Sequence, residues 1–228
     1  MGYFETRLHY YSYDIQGNPT SVSKENDVVH SYVWDYNKTY PVADAINTSP
    51  SFIAFTSFES DGMGNWTGIN KTNIKNDVSG ITGKKYYNLT GSSPTKTGLT
   101  STSIYVISYW SRSGTCTVSG TAQPGWPKNS RSVTINGVTW NYWEHQVSGV
   151  SSISVSGSVS IDELRLYPAS SQMTSYTYEP LGGVSSQCDV NNNISYYEYD
   201  SYGRLKLIKD YKGNILKTTN YSYQTTTP

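Results

Sequence analysis

The sequence predicts an all-β protein, a sheet of β-hairpins into which a β-sandwich is inserted. Three observations carry this. Aromatic–acid dipeptides recur at a fixed interval near both ends of the chain. Between them lie short apolar runs that alternate with a period of two, and no segment shows a convincing 3.6-residue period. The composition agrees: only 15% of the 228 residues are charged, and there are 22 Tyr against 4 Phe. The polarity comes from Ser, Thr, Asn, Gly and Tyr, which suit turns and half-wet strands better than surface helices.

The N-terminal hairpins are placed at residues 1–48. Tyr13-Asp14 recurs 21 residues later as Trp34-Asp35. Near the other end, in residues 172–228, Tyr178-Glu179 recurs at the same interval as Tyr199-Asp200, and Tyr221-Ser222-Tyr223 follows out of register. Gly17, Gly182 and Gly203 each stand three residues after the acid. Each unit reads as an aromatic strand, an Asx/Gly turn and a second strand such as Arg204–Ile208. An isolated hairpin is marginal in water, so the two sets of hairpins are expected to pair. That pairing brings the ends of the intervening segment together, the condition under which an inserted domain is tolerated. The best candidate for a helical turn is Pro41-Val42-Ala43-Asp44-Ala45.

Residues 51–168 have a different texture. The dipeptide period stops, and strand-like runs follow one another between Ser/Thr/Gly turns: Ile104–Trp110, Val133–Ile135, Val138–Trp143, Ile153–Val155 and Ile161–Leu166. Short strands at near-regular spacing argue for a sandwich. The odd separation of Trp140 and Trp143 sends them to opposite faces of a regular strand.

Function classes are narrowed by what is missing. The 17 basic and 17 acidic residues balance, against the basic excess of a nucleic-acid binder. No stretch approaches the roughly 20 apolar residues of a membrane span. The opening Met1–Glu5 lacks the features of a secretion signal, which says little about the parent protein, since the chain reads as a monomeric piece of a larger one. Cys116 and Cys188 are too few and too far apart for a disulfide framework and read as buried thiols. His9, His30 and His145 come with no nucleophile elbow, zinc-protease motif or phosphate loop. Glu144 and His145, neighbours on a strand, point to opposite faces. The expectation is a non-enzymatic protein. Six Asn-x-Ser/Thr sequons, at Asn37, Asn65, Asn70, Asn88, Asn193 and Asn220, are incidental to a Ser/Thr/Asn-rich composition.

A ligand-binding reading rests on aromatics. A sugar stacks its C–H face on a flat ring, and its hydroxyls bond to Asn, Gln, Lys or Arg. Trp126 lies in Ala122-Gln123-Pro124-Gly125-Trp126-Pro127-Lys128-Asn129, where two Pro and a Gly make a stiff loop. Two roles are open to it: a plug on the sandwich, or a platform with Gln123, Lys128 and Asn129 as polar neighbours. Trp66 is a further candidate beside them, although its strand-like setting, like those of Trp110, Trp140 and Trp143, also suits packing.

Two resemblances sharpen these expectations. Tyr199-Asp200-Ser201-Tyr202-Gly203-Arg204-Leu205 with Asp210-Tyr211-Lys212-Gly213-Asn214, and Tyr11–Pro19, resemble the repeat of the YD-repeat (Rhs) family. The resemblance implies a long β-sheet scaffold on a secreted or bacterial surface protein. The family's self-cleaving Asp-Pro-x-Gly motif is missing, so toxin-release chemistry is not expected here. The segment from Ser57-Phe58-Glu59-Ser60 and Trp66, through Gly83–Leu89 and Tyr105–Trp110, to Ile161–Leu166 resembles the galactose-binding-like jelly rolls that include many carbohydrate-binding modules. That resemblance implies a jelly roll that binds a polysaccharide or other glycan without catalysis. The alternative is a structural spacer or protein-interaction module with no sugar ligand. The same resemblance implies a structural Ca2+ between Glu59 and Asp162, completed by carbonyls near Gly83 and Lys84. The competing expectation is an ordinary ion pair of Glu59 with Lys84, Lys85 or Arg165.

Overall fold

The structure, a computed structural model, describes residues 7–179 and 182–222. Met1–Glu5 and Tyr223 lie outside them. The all-β expectation holds: strand makes up 52% and helix 3%. The helix among the described residues consists of two short 3-10 turns, Pro50–Phe52 and Lys71–Asn73.

Four N-terminal strands, β1 (Leu8–Tyr13), β2 (Pro19–Lys24), β3 (His30–Asp35) and β4 (Tyr40–Ile46), form an antiparallel meander. Then come β5 (Ala54–Thr56), β6 (Ile74–Asn76), β7 (Lys85–Asn88), β8 (Thr95–Thr97), β9 (Tyr105–Ser111), β10 (Thr117–Val118), β11 (Thr121–Ala122), β12 (Lys128–Ile135), β13 (Val138–Ser148), β14 (Ser152–Ser156) and β15 (Ser160–Pro168). The chain returns through β16 (Gln172–Tyr178), β17 (Val184–Cys188), β18 (Ile194–Tyr199), β19 (Leu205–Asp210) and β20 (Ile215–Thr218).

The first four and last five strands make one nine-stranded sheet, joined where β4 pairs antiparallel with β16. Gln172 lies opposite Ile46, so the intervening segment leaves and re-enters the sheet between adjacent strands. Asn47 closes this neck. Its Nδ2 donates to the Ser170 carbonyl at 3.0 Å, and its own carbonyl accepts from Ser171 Oγ at 3.1 Å.

The Asx/Gly turns have a common construction. In the turns beginning at Asp14, Asp189, Asp200 and Asp210, the Asp Oδ1 accepts the backbone N–H groups two and four residues on. The Asp Oδ2 accepts from the side chain of that fourth residue, Asn18, Asn193, Arg204 or Asn214. The residue in between sits at positive φ, as Gly in three turns and as Asn192 in the other. Asp35 departs from this pattern, because its carboxylate reaches across to the Gly62 N–H at 2.8 Å.

Pro41–Ala45 is strand β4 and not a helical turn. Val42, Ala43 and Ala45 are buried there, and pairing with β3 and β16 on both sides overrides any local helical tendency.

The inserted segment is a sandwich of two sheets. One has eight strands, ordered β11-β13-β9-β15-β7-β6 with β12 added to β13 and β5 to β15; the other is a three-stranded sheet, β10-β14-β8. Phe58, Trp66, Tyr87, Ile107, Tyr109, Ile153, Val155 and Leu164 fill the space between them. The outer face of the larger sheet lies on the nine-stranded sheet. Phe55, Val106 and Tyr167 meet Val33, Ala43 and Met173 there, while Trp110, Trp140 and Tyr142 meet Cys188 and Ile194. The molecule thus has three layers, and β9 and β15 run through the middle one. Every residue of β9 is buried, as is all of β15 except its two ends.

Candidate functional site

The Trp126 loop is built by turn chemistry. Gln123–Trp126 form a turn with Pro124 at the second position and Gly125, at φ +81°, at the third. The Trp126 N–H closes it on the Gln123 carbonyl at 3.2 Å. The loop links β11 and β12, which both pair with β13, so it sits at a sheet edge. The Trp126 side chain is half-buried, and Lys128 and Asn129 are exposed. Lys128 Nζ lies 4.1 Å from the Trp126 ring centroid and covers one ring face. Gln123 donates to Ser148 Oγ at 2.9 Å, which fixes its amide. Gln123, Trp126, Lys128 and Asn129 therefore share one edge loop. Trp66 does not join them: it is 4% exposed and its ring packs in the sandwich core.

The expected metal site is an acidic cluster already met by the protein's own donors. Glu59 Oε1 accepts the backbone N–H of Lys84 at 2.7 Å and that of Lys85. Asp162 Oδ2 accepts from Ile81 and Thr82 N–H at 2.8 and 3.1 Å, and Oδ1 from Glu163 N–H at 2.7 Å. The Lys84 carbonyl is taken by the Asp77 N–H at 2.7 Å. Lys85 Nζ caps the Glu59 carbonyl at 2.7 Å. A calcium ion needs oxygen lone pairs facing it, whereas here N–H groups and an ammonium face those oxygens. Among the described residues, no group of three or more His, Cys, Asp or Glu is placed to hold a metal ion. Glu59 Oε1, both Asp162 oxygens and the Lys84 carbonyl thus each already accept a backbone N–H. The simple ion pair is also replaced, since Glu59 bonds the backbone of Lys84 and Lys85.

The acidic cluster continues into a β-bulge of β15, where Glu163 has φ +54°. Its carboxylate accepts from Thr82 Oγ1 at 2.8 Å and Ser175 Oγ at 2.9 Å, with Arg165 Nη2 at 3.7 Å. Burial pushes the Asp162 carboxyl well above its ordinary range, and the neighbouring Glu163 adds to this. Arg165, expected only as a surface ion-pair partner for Glu59, is instead 1% exposed and donates to Ser175 Oγ, Cys188 O and Asn192 Oδ1 at 2.6–2.9 Å. Its signal is an Arg two residues after Glu163 on a strand of alternating Ile and Leu.

His145 lies in the sandwich interior. Its Nε2 is 2.8 Å from the Tyr109 hydroxyl, which also accepts the Cys116 N–H at 2.7 Å. Burial lowers His145 to about 4 and pushes the Cys116 and Cys188 thiols up to about 12. A thiol so raised is a poor nucleophile at neutral pH.

The expected faces of Trp140 and Trp143 hold. Trp140 is fully buried toward the nine-stranded sheet, and Trp143 packs on the sandwich interior. No helix among the described residues is long and apolar enough to cross a membrane. Compared with known proteins, the chain matches no family model, and no curated protein gives a significant match.

Proposed function

We propose that this chain is a non-catalytic glycan-binding module, a jelly roll mounted on a YD-repeat sheet of a bacterial surface or secreted protein. The observation that carries the reading is the Trp126 edge loop, a half-exposed indole held by a closed turn with Lys128, Asn129 and Gln123 around it. A flat ring with donors and acceptors at its rim is suited to a sugar. The stacking face is the one opposite Lys128, or the ammonium moves aside. The repeated Asx turns, and the run of nine antiparallel strands among the described residues, support the scaffold half of the reading.

One observation favours the second reading, a structural spacer. The broad aromatic face of Trp110, Trp140 and Tyr142 is covered by the chain's own hairpins, so that sheet face is closed to any ligand. A glycan array separates the two. The binding reading expects retained polysaccharides, and a loss of about 1–3 kcal/mol on Trp126→Ala with melting unchanged. An array that retains nothing, or a Trp126→Ala protein that binds as well as its parent, leaves the spacer.

A further inference from the structure

A second recess lies where the sandwich meets the C-terminal hairpins, at the far end of β12 from the edge loop. It is a cleft of about 610 Å3, within the range of roughly 300–1,000 Å3 common to small-molecule sites. One wall is the sandwich: Ile135 and Asn136 at the β12–β13 turn, and the backbone around Ile81. The other is the hairpin sheet: Tyr196 of β18, and Tyr211 and Lys212 at the β19–β20 turn, with Glu179 also lining the cleft.

Both walls are set in advance. Asn136 and Gly137, at φ +48° and +80°, form a two-residue hairpin turn, and Asn136 Nδ2 donates to the Val78 carbonyl at 2.7 Å. Tyr196 Oη donates to the Ile81 carbonyl at 2.6 Å, tying one wall to the other. The Asp210 carboxylate accepts the Lys212 N–H at 2.9 Å and the Asn214 N–H at 2.8 Å, which fixes the loop carrying Tyr211. A site whose side chains are already placed loses little entropy on binding.

The charges at the cleft largely cancel. Glu198 and Lys209, which also line it, pair with each other, and Asp210 is spent on its own turn. That leaves the exposed Glu179 carboxylate and the Lys212 ammonium, which lies 5.5 Å from the Tyr211 ring centroid. The lining therefore offers aromatic surface, an amide and a formal charge of only −1, from Glu179, Glu198 and Asp210 against Lys209 and Lys212, too small to select strongly for an ion. That chemistry suits a neutral polyhydroxyl ligand with one apolar face.

We propose that this cleft is a second saccharide site that takes a neutral sugar residue, separate from the Trp126 loop. The proposal rests on the glycan-binding reading above. Its test uses the full chain, a panel of neutral gluco-, xylo-, manno- and N-acetylglucosamine hexasaccharides, and a sulfated and an amino-sugar oligosaccharide as charged controls. Calorimetry gives affinity, and amide NMR shifts give location. In a Trp126→Ala background, at least one neutral hexasaccharide is expected to shift the signals of Ile135, Asn136, Tyr211 and Lys212. Tyr211→Ala should then weaken it by about tenfold or more. Should Tyr211→Ala lower the melting temperature, the exposed Glu179→Gln serves in its place, with the same direction expected. Shifts confined to residues 123–129 in the parent protein overturn the cleft and leave the glycan-binding reading standing. Shifts at the cleft with none at 123–129 place the sugar here alone. A preference for either charged control overturns the neutral-sugar assignment. Silence of the Trp126→Ala protein alone overturns the cleft, and silence of the parent protein toward the whole panel overturns the reading beneath it as well.

Discussion

The guanidinium of Arg165, on sandwich strand β15, donates to the carbonyl of Cys188, on strand β17 of the hairpin sheet, at 2.9 Å. The same side chain reaches Ser175 and Asn192, while Arg131 grips the same turn through the carbonyls of Asn191 and Asn192 at 3.0 and 2.7 Å. A buried cation with Glu163 as its counter-charge is therefore a polar bolt at the centre of a seam that Arg131 and Tyr196 also cross. Arg165→Met should cost about 3–5 kcal/mol in urea unfolding, because Glu163 is left charged and buried without a cation. Adding Glu163→Gln should recover part of that loss. A wild-type midpoint for Arg165→Met would show that the seam does not depend on this group.

Gly64 and Gly91 both have positive φ but differ in surroundings. A Cβ on Gly64 would stand 1.4 Å from the Phe55 carbonyl oxygen, whereas one on Gly91 would meet nothing within 4 Å. Gly91→Ala therefore carries only the backbone penalty, about 1 kcal/mol. Gly64→Ala must also push β5 away from its own neighbour and should cost well over about 3 kcal/mol or prevent folding. Equal melting temperatures for the two variants would contradict this packing.

The buried imidazole of His145 makes a pH prediction with a definite sign. Its folded value is about 4 against an ordinary 6.5. Between those values the unfolded chain binds the proton more readily, so stability is lost as pH falls from 6.5 toward 4 and is whole above 6.5. The loss should be on the order of 2–3 kcal/mol. Asp162 acts in the opposite sense: its raised pKa contributes stability that is present at low pH and lost as pH rises. Chemical denaturation of His145→Gln beside the parent isolates the imidazole. The variant should show a flatter slope between pH 4 and 6.5, and parallel slopes would place His145 in contact with water.

Glu59 and Asp162 give a metal prediction. With their oxygens facing backbone N–H groups, thermal unfolding in millimolar calcium and in chelator should coincide. A midpoint raised by calcium, and no longer raised in Asp162→Asn, would mean that the 81–85 segment turns its carbonyls inward to bind the ion.

The sequence by itself determined the all-β class, the location of the hairpins and the opposite faces of Trp140 and Trp143. These are local matters. An Asp, a residue at positive φ and a side-chain donor within five positions close the same turn at Asp14, Asp200 and Asp210 wherever the chain goes next, and period two is a property of the strand itself. The edge loop of Trp126 was legible for the same reason, since Pro124 and Gly125 specify its turn. Only the tertiary structure decided that the sandwich is the middle and outer part of a three-layer stack, that β4 is a strand, that Trp66 faces inward and that Arg165 is a bolt. It also decided that Glu59 and Asp162 are met by amides, because the donors at Ile81, Thr82 and Lys84 lie far from at least one of these carboxylates along the chain. Which face of a β-strand is wet, and which charge is compensated, depends on the layer laid over it, and no short run of residues carries that information.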